Sequence, residues 1–145
     1  MKIIISNDHA ATDLKKILAE HIKEKFSAEV TDTGSQGEKG TDYPQYAHAA
    51  AKKILSGEHD FAILLCGTGA GMCIAANKIR GIRAVVCSEP YTARLSREHN
   101  NAQILCIGAR VVGAELAKMI VDEFLQAEFE GGRHQVRVDM LENNM

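Results

Sequence analysis

A chain of 145 residues, 46% apolar and 25% charged, is long enough for one domain with its own core, and residues 1–145 are read as a single domain. A net charge of −2 offers no basic surface for nucleic acid or anionic lipid, and no apolar run approaches the length needed to cross a bilayer. The four cysteines, Cys66, Cys73, Cys87 and Cys106, fit no zinc-ligand spacing, and three of them follow or lie within apolar runs. They are read as free thiols, which suits a reducing, cytoplasmic setting. The start of the chain, Lys2-Ile3-Ile4-Ile5, enters a strand directly and is not read as a signal peptide.

Apolar runs and amphipathic runs alternate along the chain. Ile3–Ser6 is predicted as the first strand, and Thr12–Phe26 as a helix carrying Leu14, Ile17, Leu18 and Ile22 at helical spacing. Glu29–Thr33 is a short strand stopped by Gly34, and Gln36–Asp42 a polar loop. Tyr46–Leu55 is a helix, Phe61–Leu65 a buried strand, and Ala70–Lys78 a short helix ended by Gly81. Arg83–Ser88 is the fourth strand, followed by a helix over Pro90–His99 with proline at its start. Gln103–Ile107 is the fifth strand, and Glu115–Phe129 a long helix with Leu116, Met119, Ile120, Glu123 and Phe124 in register. Gly131-Gly132 breaks that pattern, and the tail Arg133–Met145 is polar and placed to extend over a partner. Such alternation predicts the α/β class: a parallel sheet with helices on both faces and right-handed crossovers.

The most informative stretch is Cys66-Gly67-Thr68-Gly69-Ala70-Gly71-Met72, which joins the third strand to the helix after it. A glycine-rich turn that opens a helix presents backbone N–H groups and the positive end of the helix dipole. Thiols in such places are pushed toward thiolate, and a thiolate beside an oxyanion hole suits proton transfer. Ligands of open α/β sheets bind beyond the carboxyl ends of the strands. Asp8 and His9 close the first strand and share that rim with Cys66; Arg110 closes the fifth. Met72 stands where a P-loop, a dinucleotide fingerprint or a phosphatase cysteine loop needs another residue, so the loop is read as a cradle for an oxyanion or a small polar group. Near the C-terminus, Arg133, His134 and Arg137 form a second cluster suited to a phosphate. Each residue also has a plainer reading. Asp8 is placed to cap the helix that starts near Ala10. Met72, Met119, Cys73, Cys87 and Cys106 fit a core, while His21, His48 and His59 carry no motif and are read as solvated.

Six segments stand in one order: Asp8-His9, Thr41-Asp42-Tyr43-Pro44, Cys66-Gly67-Thr68-Gly69, Gly81-Ile82-Arg83-Ala84, Ser96-Arg97-Glu98-His99-Asn100 and Gly131-Gly132-Arg133-His134-Gln135. Together they resemble the B-type ribose-5-phosphate isomerases, in the family that also holds galactose-6-phosphate isomerase subunits. The resemblance implies a three-layer α/β/α Rossmann-like fold with a five-stranded parallel sheet. It implies a homodimer or homotetramer with sites at subunit interfaces, a place in the pentose phosphate pathway, and no metal or organic cofactor.

By the same resemblance Cys66 matches the base that moves a proton between C1 and C2, and His99 the residue that helps open the sugar ring. Thr68, Gly67, Gly69, Ala70 and Gly71 match the region steadying the enediolate. Asp8 and Asn100 match contacts to sugar hydroxyls, Tyr43 lines the pocket, and His9, Arg110, Arg133, His134 and Arg137 match the phosphate set. The implied activity is aldose–ketose isomerisation of a small sugar phosphate, ribose 5-phosphate first, with allose 6-phosphate or galactose 6-phosphate as alternatives. A non-catalytic sugar-phosphate-binding module would need neither Cys66 nor His99. A thiol redox or hydrolytic enzyme lacks a C-x-x-C partner for Cys66.

Overall fold

Five short segments become the strands of one parallel sheet in the computed structural model, which describes residues 1–144. The strands are β1 (Lys2–Asn7), β2 (Glu29–Asp32), β3 (Phe61–Cys66), β4 (Ala84–Val86) and β5 (Ile104–Gly108). Their order is β2-β1-β3-β5-β4, so the chain reverses its direction of winding between β1 and β3. The register sets Asn7 opposite Leu65, and Cys66 opposite Gly108. The helices are α1 (Thr12–Phe26), α2 (Tyr43–Leu55), α3 (Ala70–Asn77), α4 (Pro90–Glu98), α5 (Ala114–Gln126) and α6 (Arg133–Asn143).

Strand alternation sends successive side chains to opposite faces, and each face receives its own core. Ile3, Ile5, Ile63, Leu65, Leu105 and Ile107 meet α1, α4 and α5 through residues such as Leu18, Ala93 and Phe124. Ile4, Leu64, Cys66, Ile104 and Cys106 meet α2 and α3 through residues such as Ala51, Ile54 and Met72. Each fully buried Leu or Ile side chain contributes about 1.5–3 kcal/mol relative to exposure.

Several boundaries differ from the sequence reading. α1 has the predicted ends, with Leu14, Leu18 and Ile22 buried, but Ile17 is exposed. α2 starts three residues earlier than predicted, at Tyr43, because Pro44 sits in its first turn, where a missing N–H costs nothing. β4 is the short edge strand of the sheet. In α5 the buried stripe is Ala117, Ile120, Val121 and Phe124, so Met119, expected in the core, lies exposed one position out of register. The polar tail is no extended arm: Arg133–Asn143 is helix α6, which buries His134 and Val138 but leaves Val136, Met140 and Leu141 exposed. His21 is not simply solvated, since its Nε2 lies 2.7 Å from Asp122. Among the described residues, no helix is long and apolar enough to cross a membrane.

Lys15 is a fully buried charged side chain, at 1% exposure. Its Nζ donates to the Ser35 carbonyl at 2.7 Å and pairs with Asp32 Oδ2 at 3.0 Å, fastening the loop after β2 onto α1. Burial raises the Asp32 carboxyl, but the Gly34 amide, Lys15 and Gln36 outweigh it and hold the group below its ordinary value of 3.8. Lys15→Met leaves the Ser35 carbonyl without its donor and is expected to cost about 1–3 kcal/mol in urea unfolding at pH 7. A carboxyl held low in the folded state contributes stability above its unfolded value, and this is lost as pH falls through the folded value. The gap between wild type and Lys15→Met therefore narrows below about pH 4; a gap that widens in acid would contradict the pairing.

Candidate active site

The loops that follow β1, β3 and β5 meet at the carboxyl rim of the sheet, where the order reverses. Such a reversal leaves a crevice between its two strands. Asp8 leaves β1 there, and its backbone N–H donates to Leu65 O at 3.1 Å, so Asp8 and Cys66 stand on adjacent strands. Asp8 also caps the short 3-10 turn His9–Ala11, accepting from Ala10 N at 2.9 Å, as its plainer reading required. His9 is exposed beside it, with Nδ1 3.2 Å from Thr41 Oγ1, and the same hydroxyl accepts from His9 N at 3.0 Å. Thr41 was part of a sequence motif, but its role as a strut for His9 shows only in three dimensions.

Cys66 ends β3 at 5% exposure, and its Sγ accepts the Gly69 N–H at 3.1 Å. That contact requires the tight turn at Gly69, whose φ of +82° only glycine adopts without strain. The loop then lies so close to β5 that a Cβ on Gly108 would stand 2.6 Å from Thr68 O. Thr68 itself is exposed, and its hydroxyl accepts from Ala70 N at 3.3 Å in the first turn of α3. The Tyr43 ring packs on Gly71, where a Cβ would come within 2.7 Å of it. Arg110 folds over Gly67, and its backbone N–H donates to Gly67 O at 3.0 Å. A cleft of about 390 Å³ opens beside His9 between the starts of α1 and α5.

His99, Asn100, Arg133, His134 and Arg137 are elsewhere. α4 leaves the carboxyl rim after β4 and runs against the strands, so His99 and Asn100 arrive at the amino rim. About 16 Å of strand, at 3.3 Å per residue over β3, separates that rim from Cys66. In a single copy of the chain the end of α4 therefore stands apart from the Cys66 rim. At the amino rim Arg97 ties down the turn after α4, donating to Ala102 O at 2.7 Å and Asn101 Oδ1 at 2.9 Å. Asn100 O accepts from Arg83 Nε at 3.0 Å, and Arg83 also pairs with Glu142 of α6. The His99 and His134 rings stack with centroids 4.1 Å apart and planes 8° from parallel. Arg133 and Arg137 are exposed on α6.

Among the described residues, one group of side chains has ligand atoms close enough to share a metal: His99, Glu130 and His134, whose atoms lie within 4.8 Å of one another. Stacked imidazoles send their in-plane lone pairs out side by side, so ligation would need one ring to swing away. Among the other thiols, Cys87 and Cys106 are buried, and burial pushes Cys87 up to about 12. Cys73 departs from the core reading: it is half-buried, and a hydrogen bond with Cys106 draws it down to about 7.

Residues 3–141 match the family described as Ribose/Galactose Isomerase. Ribose-5-phosphate isomerase B of Escherichia coli (strain K12) is 54% identical over 140 residues, which is 97% of this chain and 93% of that protein. The D-erythrulose-4-phosphate isomerase of Pectobacterium atrosepticum is 46% identical over 97% of this chain and 93% of its own length. The structure of ribose-5-phosphate isomerase B from Mycoplasma genitalium with bound ribulose-5-phosphate superposes with a TM-score of 0.93 at 43% identity, covering 99% of this chain and 95% of that one. With its reversal crevice, its thiol loop and these relatives, the chain belongs to the ribose/galactose isomerase family.

Proposed function

We propose that the chain interconverts D-ribose 5-phosphate and D-ribulose 5-phosphate, as a homodimer whose sites are each completed across the interface. One observation carries this reading: Cys66 lies in the reversal crevice with a backbone N–H on its sulfur, while the ring-opening candidate His99 lies at the opposite rim of the same copy. Closed twofold symmetry brings the amino rim of one copy to the carboxyl rim of the other, twice over. Exposed apolar side chains flank both rims: Ile74, Val86, Tyr91 and Val111 near the thiol loop, and Val136, Met140 and Leu141 on α6. Apolar patches of that kind mark surfaces that meet a partner. α6 replaces the polar tail as the segment that crosses to the second copy.

The roles follow from chemistry. His99 moves a proton between O1 and the ring oxygen, which opens the furanose. Cys66 takes the proton from C2 of the open aldehyde, and negative charge grows on O1. Fixed N–H dipoles of the loop over Gly67–Gly71 meet that charge, each donor contributing about 3 kcal/mol to the transition state. The thiol then returns the proton to C1 while the O2 hydroxyl proton passes to O1, which leaves the C2 carbonyl and C1 hydroxyl of the ketose. Asp8 and Asn100 hold hydroxyls, and Tyr43 walls the pocket. His9 and Arg110 hold the phosphate beside the paired helix starts, joined by the partner copy's Arg133 and Arg137. The enediolate route uses protein groups alone. Four free thiols fit a reducing compartment such as the cytoplasm.

Cys66→Ala is expected to lower ribose 5-phosphate turnover by at least about a hundredfold with its melting temperature preserved. His99→Asn is expected to be similarly impaired. Refolding the two variants together at equal ratio restores about a quarter of wild-type sites, because half the dimers are mixed and each has one intact site. Inactive mixtures would remove the shared-site reading, and a fully active Cys66→Ala would remove the base. Arg137→Ala is expected to raise KM by about tenfold or more with little change in kcat, as loss of a charged phosphate contact should. The same assay run with erythrulose 4-phosphate, allose 6-phosphate and galactose 6-phosphate ranks substrate length directly.

A further inference from the structure

At the amino rim, the proposed ring-opening residue does not stand alone. His134 lies behind His99 as a parallel plate, and its side chain is 5% exposed. Its buried Nε2 has no aligned hydrogen-bond partner, yet Glu130 Oε2 is 3.2 Å away, within reach and off line. Glu130 Oε2 is also 3.9 Å from His99 Nε2, so one carboxylate faces the same edge of both rings. The carboxylate is about half exposed and free to rotate into line. The backbone of Glu130 is not free: its N–H donates to Glu98 O at 3.0 Å, clamping the turn between α5 and α6 under the end of α4. Gly131 and Gly132, at φ of +67° and +54°, let the chain reverse there into α6, and His134 N closes the turn on Gly131 O at 3.0 Å.

We infer that Glu130 is a positioning residue for ring opening: its carboxylate holds the His134 proton on Nε2 and so fixes the imidazole plate against which His99 works. The inference rests on the isomerase reading above. A buried imidazole with no partner would be free to flip or change tautomer, and the ring stacked on it would lose its fixed plane. When His99 takes up a proton during ring opening, the charge that develops lies over a neutral ring and beside a carboxylate, both of which favour it. Cys66 is in the other half of the site, so its own proton transfer does not depend on Glu130.

That independence supplies the test. D-ribulose 5-phosphate cannot close a five-membered ring, because its C5 oxygen is esterified. Deuterium entering C1 of this ketose from D2O therefore reports the thiol step alone, whereas consumption of D-ribose 5-phosphate reports ring opening as well. In Glu130→Ala, ribose 5-phosphate kcat is expected to fall by about tenfold or more, while deuterium entry stays within about twofold of wild type. Glu130→Gln keeps an acceptor oxygen of the same reach, so it recovers part of the loss. In protein labelled with 15N-histidine, His134 carries its proton on Nε2 in wild type, and Glu130→Ala shifts that signal. Equal loss of both reactions in either folded variant, an unchanged ribose 5-phosphate rate, or an unmoved His134 signal would overturn the inference. A wild-type protein that leaves ribose 5-phosphate unconverted would instead overturn the isomerase reading, while the His134 signal would still decide the role of Glu130.

Discussion

A helix that joins two parallel strands must run against them, and this polarity governs where chemistry can gather in the molecule. Every loop that follows a strand emerges at one rim, and every loop that follows a helix emerges at the other. Cys66, Asp8 and Arg110 follow strands; His99, Glu130 and His134 follow or open helices at the far end. The sheet between them is fully packed on both faces, so no side-chain rotation joins the two groups. One copy of the chain therefore holds the two groups apart, and on the proposed reading they are two unlike halves of a site that twofold symmetry turns into two whole ones.

The thiol half is built by close backbone approach. Gly69 bends the loop so that its N–H reaches the sulfur, and Gly108 lets the loop lie directly against β5. The Tyr43 ring takes the space that a side chain at position 71 would occupy. Small residues here exchange side-chain packing for N–H groups aimed at one place, which is what a developing oxyanion requires. Lys15 steadies the same rim from below by fastening the loop after β2, whose continuation carries Thr41, the strut of His9, and then Tyr43. The other half is built from side chains: a buried ring, a second ring stacked on it and a carboxylate across their edges. On the proposed reading the first half receives negative charge and the second manages a proton.

Much of this was legible along the chain. Apolar runs such as Ile3–Ile5 and Phe61–Cys66 became the central strands, and the spacing of Leu14, Leu18 and Ile22 marked a helix with the ends α1 has. The cap at Asp8 and the thiol loop could be read because each depends on neighbours within three residues. The errors share a different cause. α6 passed for a polar tail because only His134 and Val138 of its face are buried by its own chain. Met119 passed for core because the stripe α5 buries, Ala117, Ile120, Val121 and Phe124, runs one position away from it.

The amino-acid sequence by itself determined the five strands and the helices up to α5, the parallel sheet and the identity of the thiol loop, since propensity, apolar period and turn chemistry all act over a few residues. The tertiary structure alone decided that Cys66 and His99 stand at opposite rims, that Thr41 braces His9, and that Glu130 faces two stacked imidazoles. Apart from Glu130 and His134, which are four residues apart, those relations join residues about 30 apart through the direction in which each helix returns the chain, and no local pattern in the sequence carries that direction.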